Sequence, residues 1–181
     1  MKKIKKSNQF GKKILDENVF TSIERINQEL SRLGVQGILI LQGSGLPLLV
    51  RDYDARGLFN INNAGIITSF ISAIDNYASS INGFLTDIGL GNVRLYLKHI
   101  HRHIFAICIN ERFFRRHTGE EAIMLIEITL KDIIAIFKPV VSNLDNNGLY
   151  DFAKLDILRH QADIVLLKAF WKGLEVLNID I

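Results

Sequence analysis

Apolar side chains recur at steps of three and four from Phe20 through Ile23, Ile26 and Leu30 to Leu33, the spacing that lines one face of a helix. Thr21 and Glu24 stand three apart in the manner of a capping box, and Gly34 suits the left-handed residue that closes many helices, so the pattern predicts a helix over about residues 20–33. The period then changes. Residues 35–41 are apolar and rich in β-branched side chains, Gln42-Gly43-Ser44-Gly45 follow, and residues 46–53 read as a second strand across a tight glycine turn. The unbroken run Ile38-Leu39-Ile40-Leu41 predicts a strand covered on both faces and therefore central in its sheet.

A second helix is predicted over residues 64–81, from Ile66, Ile67, Phe70, Ile71, Ile74, Ala78 and Ile81, with Asn63 as its cap and Gly83 as its end. Residues 85–90, 93–100 and 103–109 read as a meander of three strands broken at Gly91-Asn92 and near Arg102. Val93, Leu95 and Leu97 alternate with Arg94, Tyr96 and Lys98, the mark of one buried and one wetter face. Thr118 and Glu121 make a second capping box, after which Ala122, Ile123, Ile126, Leu130, Ile133, Ile134 and Phe137 give a third helical stripe, expected to stop at Pro139 before a polar connection over 142–148. A last helix over about 151–177 carries an apolar arc, including Leu166, Leu167, Phe170, Trp171 and Leu174, that is broad for a helix buried on one side.

This pattern predicts an α/β chain of the α+β kind: a five-stranded antiparallel sheet covered by helices, profilin-like in order, with an appended C-terminal helix. The local sequence adds a resemblance. Gly34-Val35-Gln36-Gly37-Ile38-Leu39-Ile40-Leu41 followed by Gly43-Ser44-Gly45-Leu46-Pro47-Leu48 resembles the opening of roadblock domains, and Ile88-Gly89-Leu90-Gly91-Asn92-Val93-Arg94-Leu95 is similar to longin-like proteins of archaea. The roadblock/longin resemblance covers roughly residues 20–138, and it implies a small scaffold that dimerises through edge strands and the helices beside them. It also implies docking or regulation of small GTPases, or a role in vesicle traffic. The basic start and the long last helix depart from a minimal roadblock domain.

Length and composition are consistent with one folded domain. The 181 residues are 48% hydrophobic and 23% charged, which is globular usage. The longest uncharged stretch, Gly57 to Ile74, contains Asn60, Asn62, Asn63, Thr68, Ser69 and Ser72 and is not read as a membrane span. No export signal is evident and the single Cys108 suits a reducing compartment, so the expected location is the cytoplasm. Six lysines lie within residues 1–13; removing them from the 22 basic residues leaves 16 against 19 acids, a net of −3. The basicity belongs to a leader, read as residues 1–17, that is available for peripheral contact with an anionic membrane. The domain proper is expected over 18–140 and a helical extension over 141–181. A net acidic body argues against nucleic acid as a partner.

Catalytic chemistry finds little footing. No Gly-x-x-x-x-Gly-Lys-Ser/Thr loop is present, Ser44 lacks the spacing of a nucleophile elbow, and Gly89-Leu90-Gly91 opens no helix. The trio His99, His101 and His103 has metal-ligand character on alternate residues, but a chain reversal at Arg102 would split it, and Lys98 and Arg102 add positive charge. Cys108 reads as a small buried hydrophobe, and Arg112, Arg115, Arg116 and His117 as a solvated cluster. No catalytic residue, metal or cofactor is therefore expected. The residues expected to meet a partner are Asn76, Tyr77, Ser80, Leu85, Asp87 and Ile88, around an exposed edge strand, with Phe170, Trp171 and Leu174 on the last helix. The partner would be a second copy, a related subunit or a small GTPase. The alternative is a profilin-like or PAS-like sensor holding a small ligand in a closed cavity lined by groups such as Tyr96 and Phe105.

Overall fold

A computed structural model describes residues 23–54, 61–114, 119–147 and 152–177. Its elements are α1 (Ile23–Arg32), β1 (Val35–Gln42), β2 (Pro47–Asp52), α2 (Ile61–Ser80), β3 (Asp87–Leu90), β4 (Val93–Ile100), β5 (His103–Asn110), a single turn α3 (Glu111–Phe114), α4 (Gly119–Asn147) and α5 (Phe152–Val176). The strands form one antiparallel sheet in the order β2-β1-β5-β4-β3, so the predicted five-stranded platform is present. The uninterrupted apolar runs of β1 and β5 follow from this position. Both strands lie inside the sheet and are buried along nearly their whole length, whereas β4 alternates buried and half-buried residues as its sequence does.

Pairing fixes which side chains share a face. Ile38, Ile40, Phe105 and Ile107 point to one side, where α1, α4 and α5 bring Leu30, Ile126, Phe137 and Phe170 into a single core. Leu39, Leu41, Leu95, Ala106 and Cys108 point to the other, under Ile71 of α2. The Cys108 thiol is raised well above its ordinary range by this burial, and by the negative charge of Asp52 and Asp54, which keeps it protonated and unreactive.

Gly34 closes α1 at φ 87° and donates its N–H to Ser31 O at 3.0 Å. A β-carbon here would strain the backbone and stand 3.1 Å from Phe113 Cβ. Gly34→Ala is expected to cost about 1–2 kcal/mol, which a urea unfolding series would measure as a lower midpoint at unchanged slope. At the end of α2 it is Asn82, not the expected Gly83, that adopts the left-handed conformation, while the Gly83 N–H reaches back to Ala78 O at 2.8 Å. Asn63, expected to cap α2, lies inside the helix, which begins two residues earlier at Ile61; Thr21 and Thr118, the other two expected caps, lie outside the described residues.

Two sequence expectations fail in α4. Pro139 does not end the helix, and 142–147 are helical instead of forming a connection, so the expected boundary at residue 141 falls inside α4. A proline removes one main-chain hydrogen bond and crowds the carbonyl four residues back; Pro139 is on the exposed side of α4, where that cost does not fall on the core. Further back, α4 is packed closely on α5. Gly173 sits where any β-carbon would come within 2.4 Å of Leu125 Cδ1, which allows the two helices to approach.

The last helix is also tied to the sheet by charge. The Arg51 guanidinium of β2 makes a two-pronged contact with Asp163 of α5, its Nε donating to Oδ1 at 2.9 Å, and the Tyr53 hydroxyl donates to the same oxygen at 2.7 Å. Asp163 is 2% exposed and Tyr53 is buried. Burial, with the Asp163 charge beside it, pushes the Tyr53 phenol well above its usual range, and the hydrogen bond to Asp163 raises Arg51 further.

Candidate partner-binding surface

The helix α2 is unusual in having one charged residue, Asp75, in its twenty. Ala64, Thr68, Ile71 and Ser72 are buried toward the sheet. Two polar contacts fix that face: the Ser72 hydroxyl donates to Gly43 O in the β1–β2 turn, and Asp75 Oδ1 lies 3.3 Å from His99 Nε2 on β4. The one charge thus faces inward, and the outward face has none. Along it run Ile66, Phe70, Ala73 and Tyr77, in steps of three and four, and Ile81 and Phe84 just past the helix end are exposed as well. Ile66 is 71% exposed, Tyr77 68% and Phe84 83%. A solvated helix face ordinarily carries lysines and glutamates; an apolar and aromatic stripe without charge has the composition of an interface core.

The strand β3 is the last in the sheet, paired on one side with β4 through Asp87↔Tyr96 and Leu90↔Val93, with no strand on its other side among the described residues. Ile88 and Leu90 point to the α2 face, half-buried with Leu85 at the margin of that core. Asp87 points to the opposite face, where Arg94 Nη1 donates to it at 3.1 Å. An open row of main-chain donors and acceptors is therefore bordered by half-buried aliphatic groups.

Of the residues expected at the interface, Asn76, Tyr77 and Ser80 are exposed on α2, and Leu85, Asp87 and Ile88 are half-buried at the β3 edge. Phe170, Trp171 and Leu174 are not on the surface. All three are buried in the core shared by the sheet, α4 and α5, Phe170 stacking at a tilt on Phe113 with ring centroids 5.6 Å apart. The broad arc of α5 reflects contact with α1, α4 and the sheet at once, which draws Phe170 and Trp171 inward. Sequence periodicity missed Ile66, Phe70 and Ile81 because it assigned them, with the other apolar positions of the expected helix, to one buried stripe; Phe84 lay beyond that helix. The available signal was that these positions fill two opposite faces of a helix nearly without charge.

The histidines do not converge. His99 pairs across from Ile104 and lies on the α2 face, His103 pairs with Ile100 and points to the other face, and His101 occupies the turn between them at φ 53°. Among the described residues no group of three or more His, Cys, Asp or Glu could hold a metal ion. Arg115, Arg116 and His117, like the lysine leader, lie outside the described residues. No described helix is long and apolar enough to cross a membrane.

The element order is the one implied by the roadblock/longin resemblance. No family model and no curated protein matches the sequence. Among solved structures, the chain is similar to a roadblock/LC7 domain from Streptomyces avermitilis, at 15% identity and a TM-score of 0.34 over 45% of this chain and 74% of that one. It is similar to the gliding protein MglB from Thermus thermophilus, at 9% identity and a TM-score of 0.36 over 85% and 96%. A chain in a homology model of the full-length AP-3 complex in a stretched open conformation gives 11% identity and a TM-score of 0.40 over 80% and 97%.

Proposed function

We propose that this protein is a non-catalytic scaffold of the roadblock/longin type that pairs with a second copy or a related subunit and, so assembled, docks a small GTPase or a trafficking-like complex. One observation carries the pairing: an uncharged, exposed apolar stripe on α2 lies on the same side of the sheet as the aliphatic margin of the open edge strand β3. A two-fold operation that joins β3 to its counterpart would cover the strand edge and bring two such stripes together, a self-complementary arrangement. The GTPase as partner is drawn from the resemblance in sequence and element order. The lysine leader adds a contact with anionic lipid at about 1 kcal/mol per lysine near the surface.

Sedimentation of the full chain over a concentration series is expected to show a dimer forming in the micromolar range. Monomer alone at high micromolar concentration would remove self-pairing. Capture of a nucleotide-bound small GTPase by the dimer, and not by a stripe variant, would support docking; equal capture by both would place any docking elsewhere.

A further inference from the structure

The main-chain groups of β3 divide between its two sides. Leu97 N–H donates to Thr86 O at 2.8 Å, which makes Thr86 and Leu97 a hydrogen-bonded pair at the start of the β3–β4 ladder. Such pairs alternate with non-hydrogen-bonded ones along an antiparallel ladder. In the register Asp87↔Tyr96, Ile88↔Leu95, Gly89↔Arg94 and Leu90↔Val93, the main chains of Ile88 and Leu90 therefore bond to β4, and those of Asp87 and Gly89 point to the open side. The edge offers an N–H and a C=O from each of these alternate residues. Tyr96, which the alternative sequence reading placed in a closed ligand cavity, lines an open cleft between β4 and α4; Phe105, named with it, is fully buried in the core.

Provided that β3 pairs with a second copy as proposed above, a two-fold axis keeps each face of the sheet on its own side. Directly opposed residues must then share a face, so the axis passes through one residue and not between two. An axis through Asp87 sets two carboxylates opposite each other, which is unfavourable. An axis through Gly89 or Leu90 requires Gly91, at φ 63° in the β3–β4 turn, to continue the strand as a partner for Asp87 or Gly89. An axis through Ile88 has neither defect. Asp87 of each copy then exchanges both main-chain bonds with Gly89 of the other, which satisfies every outward group of the two residues.

We propose that two copies of the chain join at β3 about an axis through Ile88, with Asp87 opposite Gly89 of the second copy and the two Ile88 side chains in contact on the α2 face. Half-buried Ile88 then continues the apolar surface of the α2 stripe across the axis. Charge agrees with this register on the other face. Next to Gly89 in its own sheet stands Arg94, so the row runs from Asp87 over Gly89 of the second copy to that copy's Arg94. Two strand spacings, about 10 Å, separate the ends of the row. Gly89 has no side chain, and a β-carbon there meets nothing within 4 Å, so a guanidinium can reach across it. Arg94 and Asp87 are both partly exposed and already meet within one copy at 3.1 Å; across the axis the same two groups are shared between copies. At such a rim the charges select the register more than they add affinity.

Disulfide trapping in the full chain tests the register, with Ile88→Cys, Gly89→Cys and Leu90→Cys made one at a time. Cys108 is buried, so the parent serves as the silent control. Opposed residues of a non-hydrogen-bonded pair have α-carbons about 4.5 Å apart, within the range of about 4.4–6.8 Å that a disulfide spans. Ile88→Cys is therefore expected to oxidise largely to a covalent dimer. The two Gly89 positions lie diagonally at about 7–8 Å and the two Leu90 positions at about 13 Å, so those variants are expected to cross-link little. Gly89→Pro deletes an N–H on the open side and spares the β3–β4 ladder; it is expected to weaken the dimer at least about tenfold with the circular dichroism of the parent. Trapping through Gly89→Cys in preference to Ile88→Cys, or undiminished pairing of folded Gly89→Pro, would overturn the register. A parent that sediments as a dimer while none of the three cysteines traps it would move the pairing off β3, whereas a parent that is only monomeric would remove the pairing itself.

Discussion

Asp163→Ala is expected to lower the unfolding free energy by about 3–5 kcal/mol, the range for removing one partner of a buried ion pair. The size follows from what remains. Asp163 is 2% exposed and accepts from Arg51 and Tyr53 together, so its loss leaves a partly buried guanidinium without its counter-charge and a buried phenol without an acceptor. Replacing Arg51 and Asp163 together by apolar residues should cost far less than the sum of the single changes, because no unpaired charge is then left in place. A double-mutant cycle read by urea unfolding distinguishes the two. The same contact has a pH signature. The Tyr53 phenol is held above its ordinary value of 10.0 in the folded chain. Above that pH the unfolded chain loses the phenolic proton while the folded chain retains it, so this contribution is complete below pH 10.0 and declines as pH rises further. A Tyr53→Phe variant should show a flatter alkaline decline, and if it and the parent respond alike the buried phenol is not the group responsible.

The β-sheet was legible because its signals are local. Unbroken apolar runs marked β1 and β5, alternation marked β4, and Gly34, Gly45 and Gly91, all at positive φ, punctuated the elements. The helices were less so, since apolar spacing reveals that a face is sticky without revealing what covers it. In α5 that ambiguity resolved inward: Phe170 and Trp171 are held by α4, α1 and the sheet simultaneously, an arrangement set by tertiary packing that no window of sequence contains. In α2 it resolved outward for Ile66, Phe70 and Tyr77. The contrast was encoded in charge. α5 alternates its apolar groups with Lys154, Asp156, Arg159, Lys168, Lys172 and Glu175, whereas α2 has only Asp75. Pro139 misled for a related reason: its local preference to end a helix acts on a helix already fixed by the packing of Leu125, Ile126, Leu130, Ile133 and Phe137 before it.

That contrast supports the second large expected effect. Ile66→Glu together with Tyr77→Glu should raise the dimer dissociation constant by more than about a hundredfold, corresponding to at least about 2.7 kcal/mol. The two side chains are 71% and 68% exposed, so the substitutions should leave the stability of the isolated chain within about 0.5 kcal/mol. In a two-fold assembly each change is made twice, and glutamates from both copies would be brought into one apolar contact, where desolvation and like-charge repulsion act together. Ile123→Glu on α4 serves as the comparison: it is also exposed, at 47%, but faces the opposite side of the sheet and should leave association unchanged. Sedimentation of the three proteins separates the possibilities. Loss of dimer in the α2 variant alone assigns the interface to the stripe, whereas a dimer that survives both glutamates must use some other surface, and the reading of α2 as a pairing helix would then fail.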